Sequence, residues 1–306
     1  MLVLESSEDR AKLEELLAKS VPESLRVYGS VFYINRGNPF NMEVLVDSWP
    51  DFKTVISKSQ PMEMVNDLDI YTNAYFIFTK DPKDLAKILQ TTNVINWTQC
   101  FQIEGLQKCL DDVIMAVAES KRVDVERDQA LLFVRDIHLG DSDMKPNMNS
   151  EKTSTLQTSS QHKESRGGHP ELPLSPLREA DAELVNANWV NGGNVESLNF
   201  ARRCIQKLPT LCMLDLEGKP ISWYVMDQTA EMRMAYTIPE FRRRGLSTRL
   251  LESFMDTLCR QWHDFPFYFI TGEDNKQAQG VARKVGLREA PCRYRRWICR
   301  TFAKSF

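Results

Sequence analysis

Along the first 25 residues, Leu13, Leu16 and Leu17 recur at helical spacing behind an acidic turn for which Ser7 is the expected cap, so the pattern predicts a helix. The runs then shorten. Ser24–Ile34, Glu43–Asp47, Phe52–Ser57 and Ala74–Thr79 are rich in β-branched and aromatic residues. Turn sequences such as Arg36-Gly37-Asn38-Pro39 and Asp81-Pro82 separate them, and each is predicted to be a strand. Leu85, Ile88 and Leu89 after Pro82 predict a helix, Leu106–Ala118 a second, and Ala130–Val134 a closing strand. From residue 172 the pattern alternates. Helices are predicted over 179–188, 195–206, 246–262 and 275–285. Strands are predicted over 210–215, 220–226, 230–238, 266–271 and 292–299, with a hairpin turn at Leu216-Glu217-Gly218-Lys219-Pro220. This order predicts an α/β (α+β) protein with mixed sheets.

Between these regions, residues 141–170 hold six serines and only three hydrophobic residues, too little apolar surface to offset the entropy of ordering them. A chain of 306 residues at roughly 150 per domain favours two domains. The expected division is therefore a first domain over 1–140, a flexible linker over 141–171 and a second domain over 172–306.

Composition narrows the function classes. At 42% hydrophobic and 26% charged residues the chain is too apolar to be disordered. Its longest apolar run, Val113–Ala118, is far short of the roughly 18 residues a membrane span needs. The seven cysteines form no C-x-x-C pair and are expected as reduced thiols. His138, His162, His169 and His263 are scattered, so neither a metal site nor a Ser-His-Asp arrangement is expected. The net charge of −3 conceals a basic C-terminal third, where 19 Lys and Arg face 11 Asp and Glu. Its arginines are dispersed among apolar segments, which suits a local anionic ligand better than a nucleic acid. The acidic N-terminus has neither the Arg-rich face of a mitochondrial presequence nor the apolar core of a secretory signal, and taken alone it points to the cytoplasm.

The stretch Glu231–Ser247 carries the chemistry. A strand ends near Pro239, a loop follows with Arg242, Arg243, Arg244 and Gly245, and a helix opens at Leu246-Ser247 with Leu250, Leu251, Phe254 and Leu258 as its buried face. Free backbone N–H groups and the positive helix end converge there beside arginine heads, which suits a pyrophosphate. A basic turn capped by Ser247, with no ligand, is the alternative at this point. Strand alternation places Glu231, Arg233, Ala235 and Thr237 on one face, and Met232, Met234, Tyr236 and Ile238 on the other.

Arg242-x-x-Gly245-x-Ser247 resembles the phosphate loop of the GNAT acyl-CoA N-acyltransferase superfamily, and Asn275 with the segment after it resembles that superfamily's next strand–helix element. Tyr28-Gly29, Ile34–Phe40, Asp47–Pro50 and Tyr71–Asn73 are similar to the N-terminal domain of the glycine N-acyltransferases. Leu184–Asn186, Trp189, Ser222-Trp223 and Met226–Gln228 are similar to their C-terminal domain. The resemblance implies two GNAT-like domains and transfer of an acyl group from acyl-CoA, a co-substrate and not a resident cofactor, to the amine of a small amino acid. Glycine is the expected acceptor, with glutamine, or acyl-CoA binding without turnover, as alternatives; a protein acetyltransferase is a further one.

By that resemblance Glu231 is the base that takes the amine's proton. Main-chain groups from Met234 through Tyr236 to Ile238 hold the pantetheine arm, with Asn275 near it. Arg242, Arg243, Arg244, Gly245, Leu246 and Ser247 hold the pyrophosphate. Sharing Glu231's face, Arg233 is expected to bind the acceptor's carboxylate, or else to form a plain salt bridge with Glu231. No tyrosine lies between Asn275 and Gly286, where many superfamily members carry one to protonate the leaving thiolate. A monomer is expected. The family points to mitochondria, with cytoplasm or endoplasmic reticulum as alternatives.

Overall fold

The structure is a computed structural model that describes residues 1–135, 172–262 and 265–301. The segment expected as a linker, 141–171, and all four histidines lie outside the described residues.

The first half runs β1 (Leu2–Val3), α1 (Ser7–Ala18), α2 (Leu25–Ile34), β2 (Met42–Val46), β3 (Thr54–Ser59), β4 (Ala74–Thr79), α3 (Pro82–Thr91), β5 (Phe101–Gly105), α4 (Leu110–Ser120) and β6 (Val123–Val134). The second runs β7 (Leu174–Ser175), α5 (Ala182–Ala187), α6 (Val195–Lys207), β8 (Thr210–Leu214), β9 (Pro220–Met226), β10 (Met232–Thr237), α7 (Leu246–Gln261), β11 (Tyr268–Thr271), α8 (Lys276–Lys284) and β12 (Arg288–Thr301). After the short leading strand of each, the two halves repeat one order: two helices, three strands, then helix, strand, helix, strand.

Their last strands are exchanged. One sheet has the order β1-β2-β3-β4-β5-β12-β6-β11, so β12 lies between β5 and β6 and β6 carries β11 at the edge. The other sheet is β10-β9-β8-β7. In the first half β4 and β5 pair in parallel, Ala74 opposite Gln102 through Phe76 opposite Glu104. The equivalent strands of the second half, β10 and β11, are edges of different sheets, and the gap between them is the opening that the first half lacks.

Local chemistry accounts for most elements. Asp81 caps α3, accepting from the Lys83 and Asp84 amides, with Pro82 in the first turn. Leu85, Ile88 and Leu89 then pack with Leu110, Ile114 and Val117 of α4 over one face of the large sheet. In α7, Leu250, Leu251, Phe254 and Leu258 are buried as the helical spacing requires, and the helix lies on β8 and β9. The cap of α1 is Ser6, which accepts from the Asp9 amide at 3.3 Å, one residue ahead of the expected Ser7.

The largest departure from expectation is 24–34, predicted as a strand and found as α2. All ten residues of α2 are buried. Tyr28 stacks on Phe265, Phe32 meets Trp262 edge-on, and the Tyr33 hydroxyl donates to the Met226 sulfur at 3.6 Å. Its short run is crowded with Val, Tyr, Phe and Ile, residues that favour strands, so the sequence reads like a buried strand. The helix predicted over 106–118 begins instead at Leu110, after β5.

Gly29 sets how closely α2 approaches the second half. A Cβ there would overlap the Thr229 carbonyl oxygen, a backbone atom that cannot rotate away. Gly29→Ala is expected to lower stability by about 1–3 kcal/mol through overpacking, read as a lower midpoint of chemical denaturation at unchanged slope.

Candidate active site

The gap between β10 and β11 opens into a cleft of about 1220 Å³. Glu231, Arg233, Met234, Tyr236, Arg242, Arg243, Gly245, Leu246, Ser247 and Asn275 all line it, as does the loop 187–191. Two expected residues do not. Ile238 gives its amide to the Ile221 carbonyl at 2.9 Å, within the small sheet. The Arg244 guanidinium turns back to the Glu240 carbonyl at 3.0 Å and lies over the Phe241 ring.

The phosphate-loop candidate owes its shape to two left-handed residues, Arg243 at φ 62° and Gly245 at φ 72°, just ahead of α7. Such a turn points successive amides to one side, at the positive end of a 16-residue helix. Ser247 is not a cap: Gly245 holds the cap position, and the Ser247 hydroxyl is 2.8 Å from the Tyr224 hydroxyl. Arg242 is fixed by its Nε donating to the Thr237 carbonyl at 2.9 Å, with its guanidinium over the Tyr236 ring. Asn275 caps α8, its side-chain oxygen accepting from the Ala278 amide at 3.1 Å, so its amide nitrogen is what remains for a ligand.

Strand β10 does not alternate simply. Arg233 pairs with Val225 and Tyr236 with Trp223, three residues on β10 against two on β9, with Met234 at φ 52°. This bulge reverses the expected faces beyond it. Tyr236 therefore shares Arg233's face, its ring 5.5 Å from that of Trp223 and tilted by 32°. Thr237 shares the opposite face, where its hydroxyl meets that of Ser222 at 2.8 Å.

Glu231 ends the tight β9–β10 turn, which Asp227 organises. Asp227 Oδ1 accepts from the Thr229 amide at 2.8 Å, the Thr229 hydroxyl at 2.6 Å and the Glu231 amide at 3.2 Å. The turn is wedged from outside by Tyr268, whose hydroxyl donates to the Thr229 carbonyl at 2.8 Å. Glu231 is 3% exposed. Arg26 of α2 donates to Glu231 Oε2 at 2.6 Å, also binds Glu104 of β5, and lies 3.5 Å from Asp227 Oδ2. Arg233 donates to Asp227 Oδ2 at 3.1 Å and stands 3.9 Å from both Glu104 and Glu231, its guanidinium over the Trp189 ring.

Two guanidinium groups thus face three carboxylates in a buried cluster drawn from both halves. Burial pushes Glu231 up to about 7; Arg233 and Arg26 pull it down, while Asp227 and Glu104 push it further up. Burial also acts to raise Asp227, but Arg26, Arg233 and the Thr229 donors outweigh it, and that carboxyl sits below its ordinary range. The result is one firmly ionised carboxylate and one that changes charge near neutrality, on the wall of a cleft.

Sequence reasoning missed Arg26 and Glu104. The signal available for each was a lone charge inside an apolar run, Leu25–Ile34 and Phe101–Gly105. All seven cysteines are free; burial raises Cys212 and Cys292 to about 11, which leaves them as thiols, and neither lines the cleft. Among the described residues no group of His, Cys, Asp and Glu could hold a metal ion, and no helix is long and apolar enough to cross a membrane.

A gap between β10 and β11, edges of two sheets, beside a glycine-bearing turn at a helix N-terminus defines a GNAT-type acyl-CoA N-acyltransferase fold. The fold is shared with a Drosophila protein (TM-score 0.71, 15% identity, 98% of each chain). A tandem GNAT protein from the clavulanic acid biosynthesis pathway is also similar (TM-score 0.50, 13% identity, 97% of this chain and 96% of that one).

Within that class, residues 1–209 match the model of the aralkyl acyl-CoA:amino acid N-acyltransferases and residues 211–301 the model of their C-terminal region, and the chain belongs to this family. It is 40% identical to human glycine N-acyltransferase-like protein 1, over 98% of this chain and 97% of that one. It is 40% identical to bovine glycine N-phenylacetyltransferase (94% and 95%) and 38% identical to human glycine N-acyltransferase (98% and 99%). The protein is accordingly an acyl-CoA:amino-acid N-acyltransferase with acyl-CoA as co-substrate.

Proposed function

We propose that the cleft between β10 and β11 transfers an acyl group from acyl-CoA to the amine of glycine by direct attack, with Glu231 as base. The observation that carries this reading is a buried carboxylate with a pKa of about 7 on the wall of a cleft whose other end is a helix N-terminus beside Arg242 and Arg243. CoA's diphosphate lies on the amides around Arg243–Ser247, and its pantetheine arm runs along the open edge of β10 from Met234 to Tyr236, with Asn275 beside it. That arm is bound by main-chain groups, so the strand edge matters more than side-chain identity.

An amino acid's amine is largely protonated at neutral pH and must lose a proton to attack. Ionised Glu231 takes one proton directly or through a water, the nitrogen lone pair bonds to the thioester carbonyl carbon, and the carbon–sulfur bond then breaks while the nitrogen's second proton passes through water to the departing thiolate, releasing the N-acyl amino acid and CoA thiol. No acyl-enzyme is required, and the cysteines take no part. Arg233, shared with Asp227, stands on the acceptor side of Glu231 and contributes to holding the acceptor's carboxylate. Glycine as acceptor rests on names among the relatives, as in glycine N-acyltransferase and glycine N-phenylacetyltransferase. A mitochondrial location belongs to the same reading and rests on the family alone.

The test is a panel of acyl-CoA donors, including benzoyl-CoA and phenylacetyl-CoA, against each of the amino acids, following thiol release. Highest kcat/KM with glycine is expected. Glutamine in its place would correct the acceptor and leave the mechanism standing, and no thiol release with any pair would overturn the reading.

A further inference from the structure

The acceptor end of the cleft contains two buried donors that lack acceptors. Strand β12 places Tyr294 and Arg296 on one face of the large sheet, opposite Ala130 and Asp128 of β6. Both line the cleft, at 4% and 7% exposure. Among the described residues the Tyr294 hydroxyl and Arg296 Nε have no hydrogen-bond partner.

Arg296 is nonetheless held in place. Its Nη2 donates to Asp128 Oδ2 at 2.8 Å and to Asn191 Oδ1 at 3.2 Å, which fixes the guanidinium and leaves its buried Nε without an acceptor. The loop above is pinned as well, since the Tyr71 hydroxyl donates to the Asn191 carbonyl. A buried donor without an acceptor pays its desolvation with nothing to offset it. Two of them on one face of β12 in the lining of the cleft fit a ligand that brings the missing acceptors.

The ligand's chemistry follows from its surroundings. Arg233 on the facing wall is already shared with Asp227, so a carboxylate arriving there finds a partly neutralised cation. The floor offers an unpaired guanidinium N–H and an unpaired hydroxyl, two donors suited to a carboxylate's two oxygens. Glu231 lies on the same cleft and suits an ammonium. A zwitterion, with one charge of each sign a few bonds apart, matches both.

We propose that the Tyr294 hydroxyl and Arg296 Nε bind the α-carboxylate of the acceptor amino acid, completing from the β12 side the clamp that Arg233 begins, with the amine directed to Glu231. This rests on the reading that the cleft acylates an amino acid. It also gives the exchanged strand a function: β12 supplies the acceptor-recognition residues, and the β9–β10 turn the base.

The experiment compares the acceptor that the panel selects with its own carboxamide, which keeps the amine and removes the carboxylate, using full-length protein and benzoyl-CoA or phenylacetyl-CoA. Hydrogen bonds to a charged group are worth about 1.5–3 kcal/mol, so losing one is expected to cost roughly 10–150-fold. Tyr294→Phe is expected to raise the acceptor KM toward the low end of that range and Arg296→Gln toward the high end, with Arg296→Lys between wild type and Arg296→Gln. The acyl-CoA KM should stay within about twofold in all three. The loss on the acid should exceed the loss on the amide, so the preference for the acid falls. Equal losses on acid and amide, or an acyl-CoA KM that moves with the acceptor KM, would mean a structural role and overturn the proposal. If wild type is active and its preference survives in all three variants, this inference alone fails. If wild type acylates no amino acid, the functional reading fails and takes this inference with it.

Discussion

Glu231→Gln is expected to lower kcat at neutral pH by about 10²–10⁴-fold while leaving the KM for acyl-CoA nearly unchanged. The substitution keeps the side chain's volume and leaves Arg26 an oxygen to donate to, so the cluster's geometry is largely retained and only the base is removed. The pH profile gives a sharper test. Burial outweighs the two arginines and holds Glu231 at about 7, so the group is neutral below that pH and ionised above it. For wild type, kcat/KM should therefore rise through about pH 7, and in the variant this limb should be absent. Above it the variant should recover in part, because a growing share of the acceptor is already free amine. Stability should move in the opposite direction. The folded pKa lies above the ordinary value of 4.5, so Glu231's contribution is fully present below about pH 4.5 and is lost as pH rises to 7. The variant lacks that loss, and denaturation midpoints of the two proteins should converge in acid and separate in the variant's favour above pH 7. A variant that matches wild-type turnover at pH 7 would remove Glu231 from the mechanism.

The parts of this site that were legible in the sequence are those made by neighbours in the chain. The phosphate loop is one such case: strand, arginines, Gly245 and an amphipathic helix follow one another within about twenty residues, and each leaves its own local mark. Glu231 was singled out by the family resemblance, and Arg233 by its expected place on the same strand face. The bulge at Met234 was not, because nothing in Met-Arg-Met-Ala-Tyr-Thr breaks the alternating reading, and it is the pairing with β9 that reverses the later faces. Helix α2 was misread for a related reason. Its ten residues are buried by elements from both halves, and a short run crowded with Val, Tyr, Phe and Ile reads like a buried strand. The charge cluster is the furthest from local reading: Arg26 and Glu231 are 205 residues apart and Arg26 and Glu104 are 78 apart. The exchange of β6 and β12, which brings Glu104, Tyr294 and Arg296 onto one floor, is a matter of sheet order, and no strand's own sequence specifies its neighbour.

That cluster draws on the first half even though the first half's own β4–β5 gap is closed, and Arg26 is where its bearing on Glu231 is tested. Arg26→Met keeps a long apolar stem in a fully buried position but leaves Glu104, Asp227 and Glu231 with Arg233 alone to offset them. Breaking a buried ion pair by removing one partner typically costs about 3–5 kcal/mol, and a loss of that order is expected in chemical denaturation. A general packing role for Arg26 would give the same number, so the discriminating measurement is again the pH limb. Arg26 pulls the Glu231 pKa down, so Arg26→Met should move the rise in kcat/KM above pH 7. Glu104 pushes it up, so Glu104→Gln should move the rise below pH 7. The double variant removes one charge of each sign; it should bring the limb back toward its wild-type position and recover part of the lost stability, a coupling of about 0.5–3 kcal/mol for groups in contact. Opposite displacements by two residues of the first half, neither of them lining the acyl-CoA cleft, are what a positioning role through Glu231 requires. A limb that stays near pH 7 in both single variants would show instead that α2 and β5 support the fold and leave the base alone.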